Sequence, residues 1–183
     1  MKKPTLAPSQ IQALLRAAAA CDAIVTTKDW LRAFRYNANW RDGVAMAHYD
    51  NGAGDHVFVF FAPNGQTIIK GFDHTSGLSP HAQEEYGVWP GIYDDVPAAL
   101  MALLEDDDSV EHEDVTFCFW STDGVTWSNG SAVIPDGLDD GSGWLLDMLQ
   151  MNVNDFVEWG QAYYKDGFDR IGVEGVRKHF SEE

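Results

Sequence analysis

Basic residues are missing from half of this chain. Between residues 71 and 164 there is no Lys or Arg, while the same stretch carries 19 Asp and Glu. The chain has 183 residues, with 29 acids against 12 bases and a formal charge of −17. The stretch therefore holds more than the whole imbalance. A surface without cations cannot neutralise phosphate, which argues against nucleic acid or an anionic membrane surface as its partner. A basic protein or a divalent cation fits it better, and a large net charge also keeps a protein dispersed with no partner at all.

Cysteine is scarce too. Cys21 and Cys118 form no CxxC pair, and Cys118 lies among Phe117, Phe119 and Trp120, the setting of a buried thiol. The longest strongly apolar run, 57–62, is far too short to span a bilayer. Pro4 to Gln10 is mixed and Arg16 interrupts the Ala-rich segment after it, so a signal peptide is not expected and the expected location is cytoplasmic. HExxH, GxSxG and a Cys/His knuckle are all missing, which removes the common signatures of zinc hydrolases and nucleophile-elbow enzymes.

What is present is enough for a core, with hydrophobic residues at 45% and aromatics at 13%. A single globular domain over 1–183 is expected for this length. Helical spacing of Ile11, Leu14, Leu15 and Ala18 after Ser9 predicts a helix to about Asp22. Trp30, Leu31, Phe34 and Ala38 after Thr27 predict a second. Strands are expected at 44–49, 56–62 and 66–72, separated by turns containing Asn51-Gly52 and Asn64-Gly65, the strongest short hairpin signal. A long loop over 73–93 leads to a helix starting at Asp94 or Asp95, with Pro97 in its first turn. A strand at 115–121 and a short one near 125–128 bring the count to five, and helices follow at 144–151, 154–164 and 173–180. The expected fold is α+β: an antiparallel sheet of about five strands, meander plus hairpin, packed by N-terminal and C-terminal helices.

The densest polar cluster is the run from Gly71 to His81. Asp73, His74 and His81 supply lone pairs near neutral pH, which suits metal ligation or acid–base chemistry, and His48 and His56, which flank the first hairpin, are candidates to join them. The same Asp and Ser residues also suit turns that bond loop backbone. A triad drawn from Ser76 or Ser79 with these histidines has no geometric support in sequence alone. Trp89 and Tyr93, with Tyr86, stand where aromatics line a pocket wall or fasten a long loop. The run 136–147 resembles an EF-hand loop in its Gly141 and its acids, but Leu138 offers no ligand and Asp147 replaces the bidentate Glu. It reads instead as a turn leading into a helix. Asp106, Asp107 and Asp108, with Glu111, Glu113 and Asp114, read as a solvated acidic link or a binding patch.

Three segments, GFDHTSGLSPH at 71–81, WPGIYDDVP at 89–97 and TFCFW at 116–120, together resemble a group of uncharacterised bacterial proteins. That group carries a GFDHES-type loop, a WPG segment and a TFC-type strand. The resemblance covers about residues 55 to 127, and Thr75 stands where the group has Glu. It implies a bacterial cytosolic protein and transfers no catalytic residue. In general character the chain is also similar to small acidic immunity proteins that neutralise toxins. Two functions are therefore expected as alternatives. One is an acidic, immunity-like module that meets a basic protein through the acidic region, with Asp106, Asp107 and Asp108 at its centre. The other is a metal-dependent enzyme or small-ligand binder built on Asp73, His74 and His81, with Trp89 and Tyr93 at the wall. No organic cofactor is expected, and a divalent metal is admissible.

Overall fold

The computed structural model describes residues 1–181. Helix α1 (Pro8–Val25) starts two residues earlier than a cap at Ser9 implies, because the Gln10 side chain accepts from the Ala7 N–H and Pro8 is suited to the first turn. After a single 3-10 turn at Asp29–Leu31 come strands β1 (Phe34–Arg41), β2 (Val44–Asp50), β3 (His56–Phe61) and β4 (Thr67–Phe72). Helix α2 (Ala98–Glu105), strand β5 (Phe117–Ser121) and helices α3 (Ser142–Leu149), α4 (Val153–Tyr164) and α5 (Gly172–Ser181) follow. The five strands lie in the order β1-β2-β3-β4-β5, all antiparallel, with N- and C-terminal helices packed on the sheet. The fold is α+β, as expected.

Its fifth strand is not the expected one. The second helix predicted around Trp30–Ala38 is a 3-10 turn followed by β1, and the segment 125–128 makes only one bridge, Trp120 to Ser128. Residues 34–41 read Phe-Arg-Tyr-Asn-Ala-Asn-Trp-Arg, an alternation of period two. They end at Asp42-Gly43, where Gly43 takes φ +69 and so turns the chain tightly into β2.

Alternation divides the sheet into two buried faces. Ala45, Ala47, Tyr49, Val57, Val59, Phe61, Ile69, Phe117 and Phe119 join α1, α3, α4 and α5 in one core. Val44, Phe58, Phe60, Ile68, Cys118 and Trp120 join α2, Ile92, Val110 and Val115 in the other. Each Phe or Leu fully buried in this way stabilises the fold by roughly 1.5–3 kcal/mol. Both cysteines are buried and unpaired, and desolvation pushes the Cys21 thiol up to about 12 and Cys118 higher still, so both are inert. Among the described residues no helix is long and apolar enough to cross a membrane.

Candidate functional site

The site grows out of the second face of the sheet. Register places His48 opposite Phe58, Phe58 opposite Lys70, and Lys70 opposite Cys118, one row across four strands. The next row pairs Asp50 with His56 and His56 with Phe72. Two imidazoles and an amine thus sit on a largely apolar face, with the Cys118 thiol in their row and Asp50 at its edge.

Lys70 is completely buried. Its Nζ donates to the Val110 carbonyl at 3.0 Å and meets His56 Nε2 at 2.8 Å. If the amine donates to Nε2, the proton of the neutral ring sits on Nδ1. Burial pulls Lys70 down to about 7, against the opposing pull of Asp114 and Glu111, so amine and ammonium are both populated near neutral pH. Desolvation, helped by the Lys70 charge, lowers His56 to about 3 and keeps it a neutral imidazole. His48 stacks on Phe58 at 4.1 Å between centroids and is lowered by burial to about 4.

Next to this row the chain places two histidine–carboxylate pairs. The turn between β2 and β3 is braced by Asn51, whose Oδ1 accepts from Ala53 and Asp55 N–H and whose Nδ2 donates to Asp55 Oδ2 at 2.6 Å. Asp55 is thereby held with Oδ1 accepting from the His74 backbone N–H at 2.9 Å and from His74 Nδ1 at 2.7 Å. Since a carboxylate only accepts, Nδ1 carries a proton, and in the neutral form of the ring Nε2 keeps its lone pair. On the 3-10 turn at Pro80–Ala82, His81 contacts Asp114 Oδ1 through Nε2 at 2.8 Å, and the Tyr86 hydroxyl donates to the same oxygen at 3.1 Å. Burial and the Asp114 carboxylate push the Tyr86 phenol up to about 12. His56, Phe72, His74, His81, Glu111 and Asp114 line one open pocket of about 400 Å³. This arrangement supplies an imidazole lone pair, further imidazole and carboxylate groups and a buried proton reserve around a single cavity.

Asp73 is not on that wall. Its Oδ1 accepts from the Thr75 N–H and hydroxyl, and its Oδ2 accepts from Trp144 Nε1 at 3.0 Å. Burial works to raise Asp73, but the bonds from Trp144 and Thr75 and the His74 charge outweigh it, so the carboxyl lies below its ordinary range. Gly141, with φ +77, lets the backbone before α3 pass Asp73 so closely that a Cβ would lie 2.4 Å from the aspartate Cβ. Asp55, Asp73 and His74 bring ligand atoms within 4.8 Å of one another, but all four of their carboxylate oxygens already accept hydrogen bonds from the protein. His81, expected to share a metal with Asp73 and His74, is not in that group.

The other expected site residues are dispersed. Trp89 donates to the Val133 carbonyl at 3.2 Å and lines a separate cleft with Pro90, Asp94 and Ser131. The Tyr93 hydroxyl donates to the His112 carbonyl at 2.5 Å. Neither residue lines the histidine pocket, and both fasten the long loop. Ser76 donates to the Asp139 carbonyl and Ser79 accepts from the His81 N–H, so both hydroxyls serve loop backbone. Asp106 pairs with Arg41 at 2.8 Å, Asp107 caps Ser109, and Asp108 is exposed in the next turn, all outside the pocket. The EF-hand-like run is a capping turn, in which Asp140 Oδ1 accepts from the Ser142 N–H at 2.9 Å and Asp147 pairs with Lys2.

Sequence reasoning did not single out Asp55 or Lys70, and took Asp114 only as part of an acidic link. A lone lysine inside Thr-Ile-Ile-Lys-Gly-Phe, at a position of the strand that faces a core, was the available signal for Lys70. No family model, no curated protein and no solved structure matches this chain.

Proposed function

We propose that the protein binds a small polar ligand in the pocket formed by His56, His74 and His81 and moves protons to or from it. The observation that carries this reading is the opening of two histidine–carboxylate pairs, His74–Asp55 and His81–Asp114, onto one cavity backed by the buried His56–Lys70 contact. A base held by an orienting carboxylate is the arrangement that general acid–base chemistry uses, and an amine near neutrality backs it with an exchangeable proton. Glu111 and Asp114 on the rim favour a neutral or cationic ligand over a polyanion.

The test is a thermal-shift screen of small amines, amides, sugars and divalent cations (Mg²⁺, Mn²⁺, Zn²⁺, Ni²⁺) against wild type and the His74→Ala/His81→Ala double variant. A ligand that binds the native state raises its melting temperature by mass action. Compounds that stabilise wild type but not the variant support the reading. A screen in which every active compound stabilises both proteins equally refutes it.

A second reading is favoured by the exposure of Glu84, Glu85, Glu113 and Asp108 around the same region: an acidic surface that meets a basic protein. Charge reversal of Asp106, Asp107 and Asp108 to Lys would then weaken capture of such a partner and flatten its salt dependence. An unchanged salt dependence would remove this reading.

A further inference from the structure

The side-chain donors around a second concavity are all spent. The cleft lined by Gln83, Trp89, Pro90, Asp94, Ser131 and Val133 has a volume of about 600 Å³, the scale of a small-molecule site. It lies between residues 89–94 and 131–133, and the two segments are joined by backbone. The Ala132 N–H donates to the Gly91 carbonyl at 3.2 Å, and a Cβ on Gly130 would lie 2.0 Å from that same oxygen. The walls are thus held against each other before any ligand arrives.

Each polar side chain at the cleft has committed its hydrogens elsewhere. Gln83 Nε2 donates to the Gly77 carbonyl at 3.0 Å and to the Ser79 carbonyl at 3.1 Å, which uses both amide hydrogens and fixes which end of the amide is nitrogen. Trp89 Nε1 is taken by the Val133 carbonyl, and Ser131 Oγ gives its single proton to Asp94 Oδ2. Gln83 Oε1 and Asp94 Oδ1, by contrast, accept no hydrogen bond from the described residues. The Trp89 indole, its one N–H occupied, has only π surface to offer, and Pro90 and Val133 add hydrocarbon. No Lys or Arg lines the cleft.

We infer that this cleft binds a small organic cation whose nitrogen carries hydrogens, a primary ammonium or a guanidinium on a short carbon chain. Its N–H groups donate to Gln83 Oε1 and Asp94 Oδ1, the Asp94 carboxylate balances its charge, and its carbon chain lies along Trp89, whose ring attracts the cation. An anion finds no side-chain donor there, and an apolar molecule leaves both acceptors unpaired. The net charge of −17 draws a cation toward the protein. The site is separate from the histidine pocket, since the two share no lining residue.

Titration of the ¹⁵N-labelled full chain with n-butylammonium and with n-butylguanidinium, followed at the Gly91 and Ala132 amides, tests the inference. Saturation by one cation assigns the ammonium or the guanidinium, and saturation by both assigns a site selected by charge and N–H together; each supports the proposal. 1-Butanol, which lacks the charge, and n-butyltrimethylammonium, which lacks the N–H, should bind at least about threefold more weakly, the scale of one exposed polar contact. Asp94→Asn, which keeps an oxygen for Ser131, should weaken binding by about threefold, the scale of an exposed ion pair. Trp89→Leu, confirmed folded by the dispersion of the same spectra, should weaken it by about threefold, the scale of an exposed cation–π contact. Asp108→Asn removes the same charge outside the cleft and should leave the affinity unchanged. The inference is overturned if neither cation saturates, if either control compound binds as tightly as n-butylammonium, if Trp89→Leu binds as well as wild type, or if Asp94→Asn weakens binding no more than Asp108→Asn does.

Discussion

The two faces of the sheet are built from the same strands and solve different problems. On the helix-covered face β3 presents Val57, Val59 and Phe61, and Gly71 of β4 leaves the space that the Phe117 ring occupies. A Cβ on Gly71 would lie 2.0 Å from that ring. On the opposite face the same strands present His56, Phe58 and Phe60 against Ile68, Lys70 and Phe72. The first face is close-packed hydrocarbon under four helices. The second is covered by loop, 3-10 turns and one short helix, and it encloses polar groups that must find partners. A face covered by regular helices gains stability chiefly through packing, with Asp22 of α1, accepting from the Phe34 N–H, as a buried polar exception, whereas one covered by loops has carbonyls and side chains available to solvate an amine. The His56–Lys70, His74–Asp55 and His81–Asp114 contacts therefore lie where the covering is irregular.

The sharpest way to break this comparison is to remove packing from the dry face. Phe119→Ala should cost about 3–5 kcal/mol in urea unfolding, the range for a fully buried Phe that leaves a cavity. A cost below about 1 kcal/mol would mean that this face is not the rigid half.

On the polar face the signature is in pH rather than volume. Lys70 releases its proton near 7 when folded but near its ordinary 10.5 when unfolded. The unfolded chain therefore holds this proton where the folded chain has lost it, and stability should rise with pH from about 7 to about 9, by on the order of 3 kcal/mol, above which the two buried thiols, raised when folded, pull the other way. Lys70→Met should flatten that rise while leaving His56 Nε2 and the Val110 carbonyl without their partner. Equal slopes in wild type and variant would place the amine in contact with water.

Smaller effects sharpen the boundary between the faces. Trp144→Phe removes the 3.0 Å bond to Asp73 and should cost about 1 kcal/mol, read by the same unfolding experiment, with the Asp73 carboxyl moving up toward its ordinary range. Asp106→Ala removes a partly exposed ion pair to Arg41 and should change stability by no more than about 0.5 kcal/mol. A larger loss there would show that the acidic link has a structural role beyond its charge.

Much of this architecture was legible in the residues. Asn51-Gly52 and Asn64-Gly65 marked two hairpins because those residues adopt positive φ at little cost, as Gly52, Asn64 and Gly65 do. The alternation Phe117, Phe119, Ser121 against Cys118 and Trp120 matches the faces these residues take. Strand β1 was hidden because Trp30, Leu31 and Phe34 also satisfy helical spacing, and the Asp42-Gly43 turn that decides the matter lies beyond them. For the site, residue type pointed to His74 and His81 but could not supply their partners. Asp55 is 19 positions from His74 and Asp114 is 33 from His81, and only the pairing of β3 with β4 and the return of the 108–114 segment bring them together. Asp73 was chosen for its neighbour in sequence, yet consecutive residues leaving a strand point to opposite sides, and it turned toward Trp144.

The contact between Lys70 and Val110 also governs time. An amine with no exposure can trade protons with water only when the 108–110 turn lifts from the sheet or when His56 passes the proton on. Its hydrogens should therefore exchange far more slowly than those of a surface lysine, at a rate set by local opening. The Lys70 ammonium resonance, visible on the acid side of its titration, would act as a clock inside the molecule, running faster whenever the covering over the pocket loosens.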